Sequence, residues 1–234
     1  MFRLLCALAV TVLAQTAVWG GTSGVRTQSR TLGVGGRSYR VKIAQASLSD
    51  YRVVVALAHD KVGSTSSLGG IAGGRGAQAG INGCFFNAYT SSSYKTPYMN
   101  LVTNGVVRYS SNIGVTLGFD SRGDYRMEHP VFSESQQKVV RAESPGFWAD
   151  AQEALGCGPL LVKDGVISVN PAAEGFRQDK IVSLRARRSA VGITRDRHIL
   201  LVTCDTAGIR ELAAVMQELG AVDAMNLDGG GSSA

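Results

Sequence analysis

Short β-rich runs that fold back at tight-turn dipeptides constrain this chain more than any other feature. "YMNLVTNGVVRYS" reverses at Asn104-Gly105 and "GPLLVKDGVISV" at Asp164-Gly165. Both dipeptides tolerate the positive φ of a two-residue hairpin, so each run reads as a pair of antiparallel strands. "SAVGITRDRHILLVTC" reads as a third reversal, around Arg195–Arg197. The clearest helix is "IRELAAVMQELG". Ile209, Leu212, Val215, Met216 and Leu219 share one face, Arg210, Glu211 and Glu218 take the other, and Gly220 stops the run. "YRVVVALAH" at 51–59 adds a strand, and "STSSLGGIAGGRGAQ" at 64–78 a short, glycine-weakened helix with a Ser or Thr cap. "AGINGCFF" at 79–86 reads as a strand interrupted where the backbone approaches something closely. The expectation is an α+β (mixed α/β) fold: one strand-rich domain with mixed sheets, a few helices and no internal repeat.

The first residues, MFRLLCALAVTVLAQTAVWG, place Arg3 before an apolar run and small residues at Ala17 and Gly20. That is the pattern of a secretory signal peptide, and the run is shorter than the ~20 residues that span a bilayer. Three segments follow: a signal peptide over 1–20, a flexible polar lead-in over 21–37, and a domain over 38–234. The remaining 214 residues (234 minus 20) are enough for one substantial core. The net charge of +6 is scattered. Its densest patch, "RARR" at 185–188, is short and lacks interleaved aromatics, so a nucleic-acid surface is excluded. Nothing after the leader is apolar enough to insert stably in a membrane. The expected location is exported: periplasm, cell envelope or extracellular space.

With Cys6 leaving in the leader, Cys84, Cys157 and Cys204 remain. Residue type alone allows one bridge plus a free thiol, or three buried apolar thiols. Cys84 and Cys157 both stand beside glycine, in "NGCFFN" and "GCGPLL". His59, His129 and His198 are far apart and no spacing matches a zinc site. No cofactor is expected, and a divalent metal is left open.

The chemistry concentrates near the end of the chain, in "AMNLDGGGSS" at 224–233. Three consecutive glycines lose much backbone freedom on folding, so a structural return is required. A short strand ends near Asp228, and Gly229, Gly230 and Gly231 offer consecutive N–H groups able to receive an anion. Ser232 and Ser233 add hydroxyls. The competing reading is a flexible tail. A phosphate-loop lysine and the Rossmann spacing are both absent. Asn82 is an amide on an apolar strand, where burial demands partners. Arg188, just before a strand, has a guanidinium fork suited to phosphate or, alternatively, to solvent. Glu174 and Asp179, in "AAEGFRQDK", are candidate proton donors or acceptors.

"GINGCFF", "GCGPLLVKDG", "EGFRQDK", "RRSAVGIT" and "AMNLDGGGSS", in this order, resemble the phosphodiester glycosidase family over most of residues 51–233. The resemblance implies cleavage between a sugar's anomeric carbon and a phosphodiester oxygen. It implies a sugar-1-phosphodiester or envelope glycan as substrate. On this chain the family's blocks fall on Asn82, Glu174, Arg188 and Asp228 as catalytic residues. Gly229, Gly230, Gly231, Ser232 and Arg188 are the implied substrate and phosphate ligands. Cys84 stands where the family usually has glycine and Cys157 where it has a small residue, and this paired departure favours a Cys84–Cys157 disulfide. "TCDTAG" replaces a more usual Asp-Gly-Arg turn. Family members usually continue past the serines into another strand, so the resemblance implies a sheet short of its final strand, an impaired activity, or a strand supplied otherwise. The alternative function is a non-catalytic exported module that binds anionic glycan or polyol-phosphate polymer.

Overall fold

The computed structural model describes residues 24–234, and residues 9–14, with 179 and 180, by backbone alone. The rest of the expected leader, with Cys6, lies outside the described residues. The six that are described, Ala9–Ala14, form a strand paired on both sides: antiparallel to Tyr51–Ala56 and antiparallel to Ala77–Asn82.

The expected reversals are present. Asn104 (φ 50) and Gly105 (φ 72) join Leu101–Thr103 to Val106–Tyr109, and Asp164 (φ 51) and Gly165 (φ 82) join Leu160–Lys163 to Val166–Ile167. Arg197 (φ 60) closes the hairpin of Ala186–Thr194 and His198–Ala207. These strands build two large sheets. In the seven-stranded sheet the spatial order is Val166–Ile167, Leu160–Lys163, Ala221–Asn226, Ala186–Thr194, His198–Ala207, Arg37–Ser47 and Arg26–Val34. In the five-stranded sheet it is Val106–Tyr109, Leu101–Thr103, Ala151–Cys157, Val115–Asp120 and Tyr125–Glu128.

Side-chain alternation divides the interior into two layers. Along His198–Ala207, Leu200 and Val202 face the helix Ile209–Glu218, packing with its Leu212, Val215 and Met216. Ile199 and Leu201 point the other way, into the core shared with Leu117 and Leu155 of the five-stranded sheet and with Val53 and Ile81. Both layers follow from the two-residue period of a strand buried on each face. The helix ends as its glycine requires, with Gly220 at φ +85.

The described part of the expected lead-in over 21–37 is a correction. Rather than a loose lead-in, Arg26–Val34 is a strand paired residue by residue with Arg37–Ser47 across the Gly35-Gly36 turn. It reads as polar because it is an edge strand with most of its side chains exposed. The disulfide expectation is also corrected: no disulfide forms among the described residues, and Cys84, Cys157 and Cys204 are buried thiols. Cys84 and Cys157 lie in the same apolar cluster with Leu101, Leu155, Phe176 and Leu227, filling space as small apolar side chains.

Candidate active site

Three strand ends converge at the close of the chain. Ala221–Asn226 runs between Leu160–Lys163 and Ala186–Thr194. Beyond its last residue the backbone stays pinned on both sides: Leu227 donates its N–H to the Ser189 carbonyl at 2.8 Å, and Asp228 donates to the Gly83 carbonyl at 2.9 Å. Asn82, the last residue of Ala77–Asn82, closes the joint. Its Nδ2 donates to the Asp228 carbonyl at 2.7 Å, and its Oδ1 accepts from Ser189 Oγ at 2.7 Å and from the Ala234 N–H at 3.3 Å. Asn82 is 1% exposed, and these partners are what make a buried amide tolerable there.

The glycines have different reasons. A Cβ on Gly229 would lie 2.9 Å from the Arg187 carbonyl oxygen, so the turn can sit against that strand only without a side chain. Gly230 has φ +63, the left-handed region. Gly231 meets nothing within 4 Å. Gly230–Ser232 is a single 3-10 turn whose first two residues are exposed. The Gly229 N–H donates to Asp228 Oδ1 at 2.8 Å. Burial raises the Asp228 pKa above the ordinary carboxylate value, and the Ser232 hydroxyl and Gly229 N–H oppose that rise.

Arg188 adjoins this turn but is spent on the scaffold. It is 3% exposed, with Nε donating to the Ala207 carbonyl at 3.2 Å and an Nη to the Leu184 carbonyl at 2.5 Å. Its burial lowers its pKa. Glu174 lies on the other flank. Its carboxylate accepts from the Leu160 N–H at 2.8 and 3.1 Å and crowds Gly158, where a Cβ would lie 3.0 Å from Oε2. Burial pushes the Glu174 pKa up to about 7, against the lowering effects of the Leu160 N–H and of His129. Gly158 in turn is tied to Asn226: its N–H donates to the Asn226 carbonyl and its carbonyl accepts from Asn226 Nδ2, at 2.9 and 2.8 Å.

Asn82, Asp228, Gly229 and Arg188 are therefore in direct contact or one residue apart, and Glu174 joins them through Gly158 and Asn226. Sequence reasoning passed over Ser189 and Asn226. Asn226 is fully buried with Oδ1 lacking a partner among the described residues, as is Ser233 Oγ. Both atoms belong to the segment that carries Asp228. An asparagine at the end of a buried strand was the available signal for Asn226, and the serine after Arg188 for Ser189. Two cavities of about 200 and 330 Å³ lie instead around Asp60 and Arg75, and none of the candidate residues lines them. No group of histidine, cysteine or carboxylate side chains suited to a metal ion occurs among the described residues.

The phosphodiester glycosidase signature matches residues 75–234, which contain every candidate site residue. The chain belongs to the phosphodiester glycosidase family. Solved structures share its fold. A hypothetical protein from Synechocystis has a TM-score of 0.72 at 18% identity, over 90% of this chain and 57% of that one. The zebrafish N-acetylglucosamine-1-phosphodiester alpha-N-acetylglucosaminidase catalytic domain, auto-inhibited by its pro-peptide, gives 0.68 at 17% identity, over 96% and 77%. A Burkholderia pseudomallei K96243 protein described as a "Putative exported protein" gives 0.62 at 16%, over 84% and 69%. This chain thus spans little more than half the length of the Synechocystis protein. Comparison with curated proteins finds no match. Among the described residues no helix is long and apolar enough to cross a membrane.

Proposed function

We propose that this family member is an exported hydrolase acting on sugar-1-phosphodiesters, with the turn Asp228–Ser232 as its reaction centre. The observation that carries the reading is the joint itself. The Asp228 backbone is held by Asn82 and Gly83, its carboxylate accepts from the Gly229 N–H, and the exposed Gly230 and Gly231 follow at once. The apolar leader supports export, as does the description of the Burkholderia relative. The zebrafish relative's name supports a sugar joined to a phosphodiester.

In the proposed reaction a water oxygen bonds to the anomeric carbon while the bond from that carbon to the phosphodiester oxygen breaks. A phosphomonoester leaves with the bonding electrons, and the water's proton passes to a carboxylate. The leaving oxygen is already acidic, so the main demand is to stabilise positive charge at the sugar and to activate water. Asp228 takes the first task. Glu174, with a pKa of about 7, exchanges a proton near neutrality and takes the second. The amides of Gly230 and Gly231 receive the phosphate oxygens, while the Ser232 hydroxyl stays on the Asp228 carboxylate. Asn82 and Arg188 are positioning residues that hold the turn from either side. Asp228→Asn keeps the acceptor for the Gly229 N–H and removes the charge. It is expected to lower turnover by roughly 10²-fold or more in a reducing-sugar assay, the scale of a lost catalytic carboxylate. Near-normal turnover in a folded variant overturns the assignment.

One observation favours a second reading, a non-catalytic module for anionic glycan. The exposed Gly230 and Gly231 could receive an anion without any catalytic carboxylate. Release of reducing sugar from sugar-1-phosphodiesters by the unmodified protein rejects this reading.

A further inference from the structure

Between Asn82 and the strand Leu101–Thr103 the chain makes a long excursion that carries Tyr89, Tyr94 and Tyr98, exposed by 85, 49 and 43%. A long polar loop would ordinarily be mobile, but this one is a tied ribbon. The Asn87 N–H donates to the Thr96 carbonyl at 2.8 Å, Tyr98 N–H to Phe85 at 3.0 Å, and Phe86 bridges Pro97 in antiparallel fashion. Lys95 fastens it twice, with its N–H on the Gly63 carbonyl and its Nζ on the Thr90 carbonyl.

Tyr94 is immobilised in an unusual way. A Cβ on Gly63 would fall 2.4 Å from two carbons of the Tyr94 ring, so the ring lies directly on bare backbone, and Gly63 has φ +78. One side of the ring is seated while about half of the residue remains in solvent. A side chain so ordered has already lost the rotamer freedom that binding would otherwise take away.

The ribbon also connects to the candidate site. Burial first, then Glu134, then the phenols of Tyr94 and Tyr98 and the Cys84 thiol raise the Tyr109 pKa, which groups these side chains around one phenol. Cys84 is two residues from Asn82. Phe85 stacks edge-on against Phe176 at 6.0 Å between centroids, and Phe176 follows Glu174 by two residues. The tyrosines thus stand on the segment that leaves Asn82, with Tyr98 bonded to Phe85, which meets the Glu174 loop, and Tyr94 seated on Gly63.

We propose that Tyr94 and Tyr98 form a stacking platform for a pyranose ring of the substrate's glycan portion, and so determine its specificity. The C–H face of a sugar ring is the apolar surface that matches a fixed aromatic face, and the phenol oxygens can bond its hydroxyls. The placement of that ring next to a reaction centre rests on the hydrolase reading above.

Binding and turnover test the two ideas separately. Calorimetric titration of the full chain with glucose, N-acetylglucosamine and cellobiose is expected to detect binding of at least one. Tyr94→Ala and Tyr98→Ala are each expected to weaken it by about 10-fold, and Tyr→Phe at either position by no more than about 3-fold, the scale of one aromatic contact. On a sugar-1-phosphodiester the alanine variants should raise KM by a similar factor and leave kcat within about 2-fold, the signature of lost ground-state binding. Equal affinity in the alanine variants, or no sugar bound by the unmodified chain, overturns the platform. Tyrosine-dependent sugar binding without any hydrolysis upholds the platform and rejects the hydrolase reading. Hydrolysis with KM unchanged in the alanine variants does the reverse.

Discussion

Asn82 Nδ2 donates a 2.7 Å hydrogen bond to the main-chain carbonyl of Asp228, 146 residues further along the chain. The same amide's oxygen receives the Ser189 hydroxyl. One side chain thus couples three strands, and through them the backbone that carries the candidate carboxylate.

Asn82→Ala leaves the Asp228 carbonyl and the Ser189 hydroxyl without that partner. Each buried group so stranded costs about 1–3 kcal/mol, so a loss of roughly 2–6 kcal/mol is expected in urea unfolding. Turnover should fall as well, because Asp228 is no longer fixed. A midpoint unchanged from the parent would show that the joint carries no energy.

Gly229 and Gly231 provide a matched pair. Gly229→Ala pushes a methyl against the Arg187 carbonyl, where only 2.9 Å is available. Backbone must move, at a cost of about 1–3 kcal/mol and with displacement of the turn. Gly231→Ala meets open space and is expected to change stability by less than about 0.5 kcal/mol. Thermal melts of the two variants side by side check this, and equal melting points would remove the close-approach argument.

How much of this was readable in advance depends on which residue is asked. The hairpins at Asn104-Gly105 and Asp164-Gly165 and the helix Ile209–Glu218 are written in local chemistry and stand where expected. Asp228 and Asn82 also stood out, because a glycine triplet and an amide on an apolar strand are each unfavourable without a return. The reason for Gly229 was not legible, since the Arg187 carbonyl that excludes a side chain comes from another strand. The same holds for Arg188: its residue type fits phosphate, and only the fold shows the Leu184 and Ala207 carbonyls that occupy it. Arg26–Val34 was obscured for a different reason. An edge strand with polar, exposed side chains has the composition of a loop.

Glu174 gives a pH dependence with a definite sign. Its carboxyl goes from an ordinary 4.5 to about 7 on folding, through burial. Below pH 4.5 both states hold the proton. Between 4.5 and 7 the unfolded chain has released it and the folded chain has not, so stability falls as pH rises, and it levels off above 7. The full difference is on the order of 3 kcal/mol. Glu174→Gln keeps an acceptor for the Leu160 N–H and cannot ionise. It is expected to flatten this limb of the stability profile and to exceed the parent in stability at pH 8. Parallel profiles from pH 4 to 8 for parent and variant would refute the shift.

The strand Ala9–Ala14 raises the sharpest question, because a peptidase cut near residue 20 would withdraw it. It pairs with Tyr51–Ala56 on one side and with Ala77–Asn82 on the other. Its removal would leave those two edges roughly 10 Å apart, twice the spacing of paired strands and too far to bond each other. The second of them ends at Asn82, so the loosened edge leads straight to the joint with Asp228. A chain comprising residues 21–234 is therefore expected to lose amide protection in hydrogen exchange along both edges. It should melt below the 1–234 chain and recover protection when a peptide of sequence AVTVLA is added. Equal protection in the two chains would mean that Ala9–Ala14 contributes nothing to the sheet, and that the Asn82–Asp228 joint stands without it.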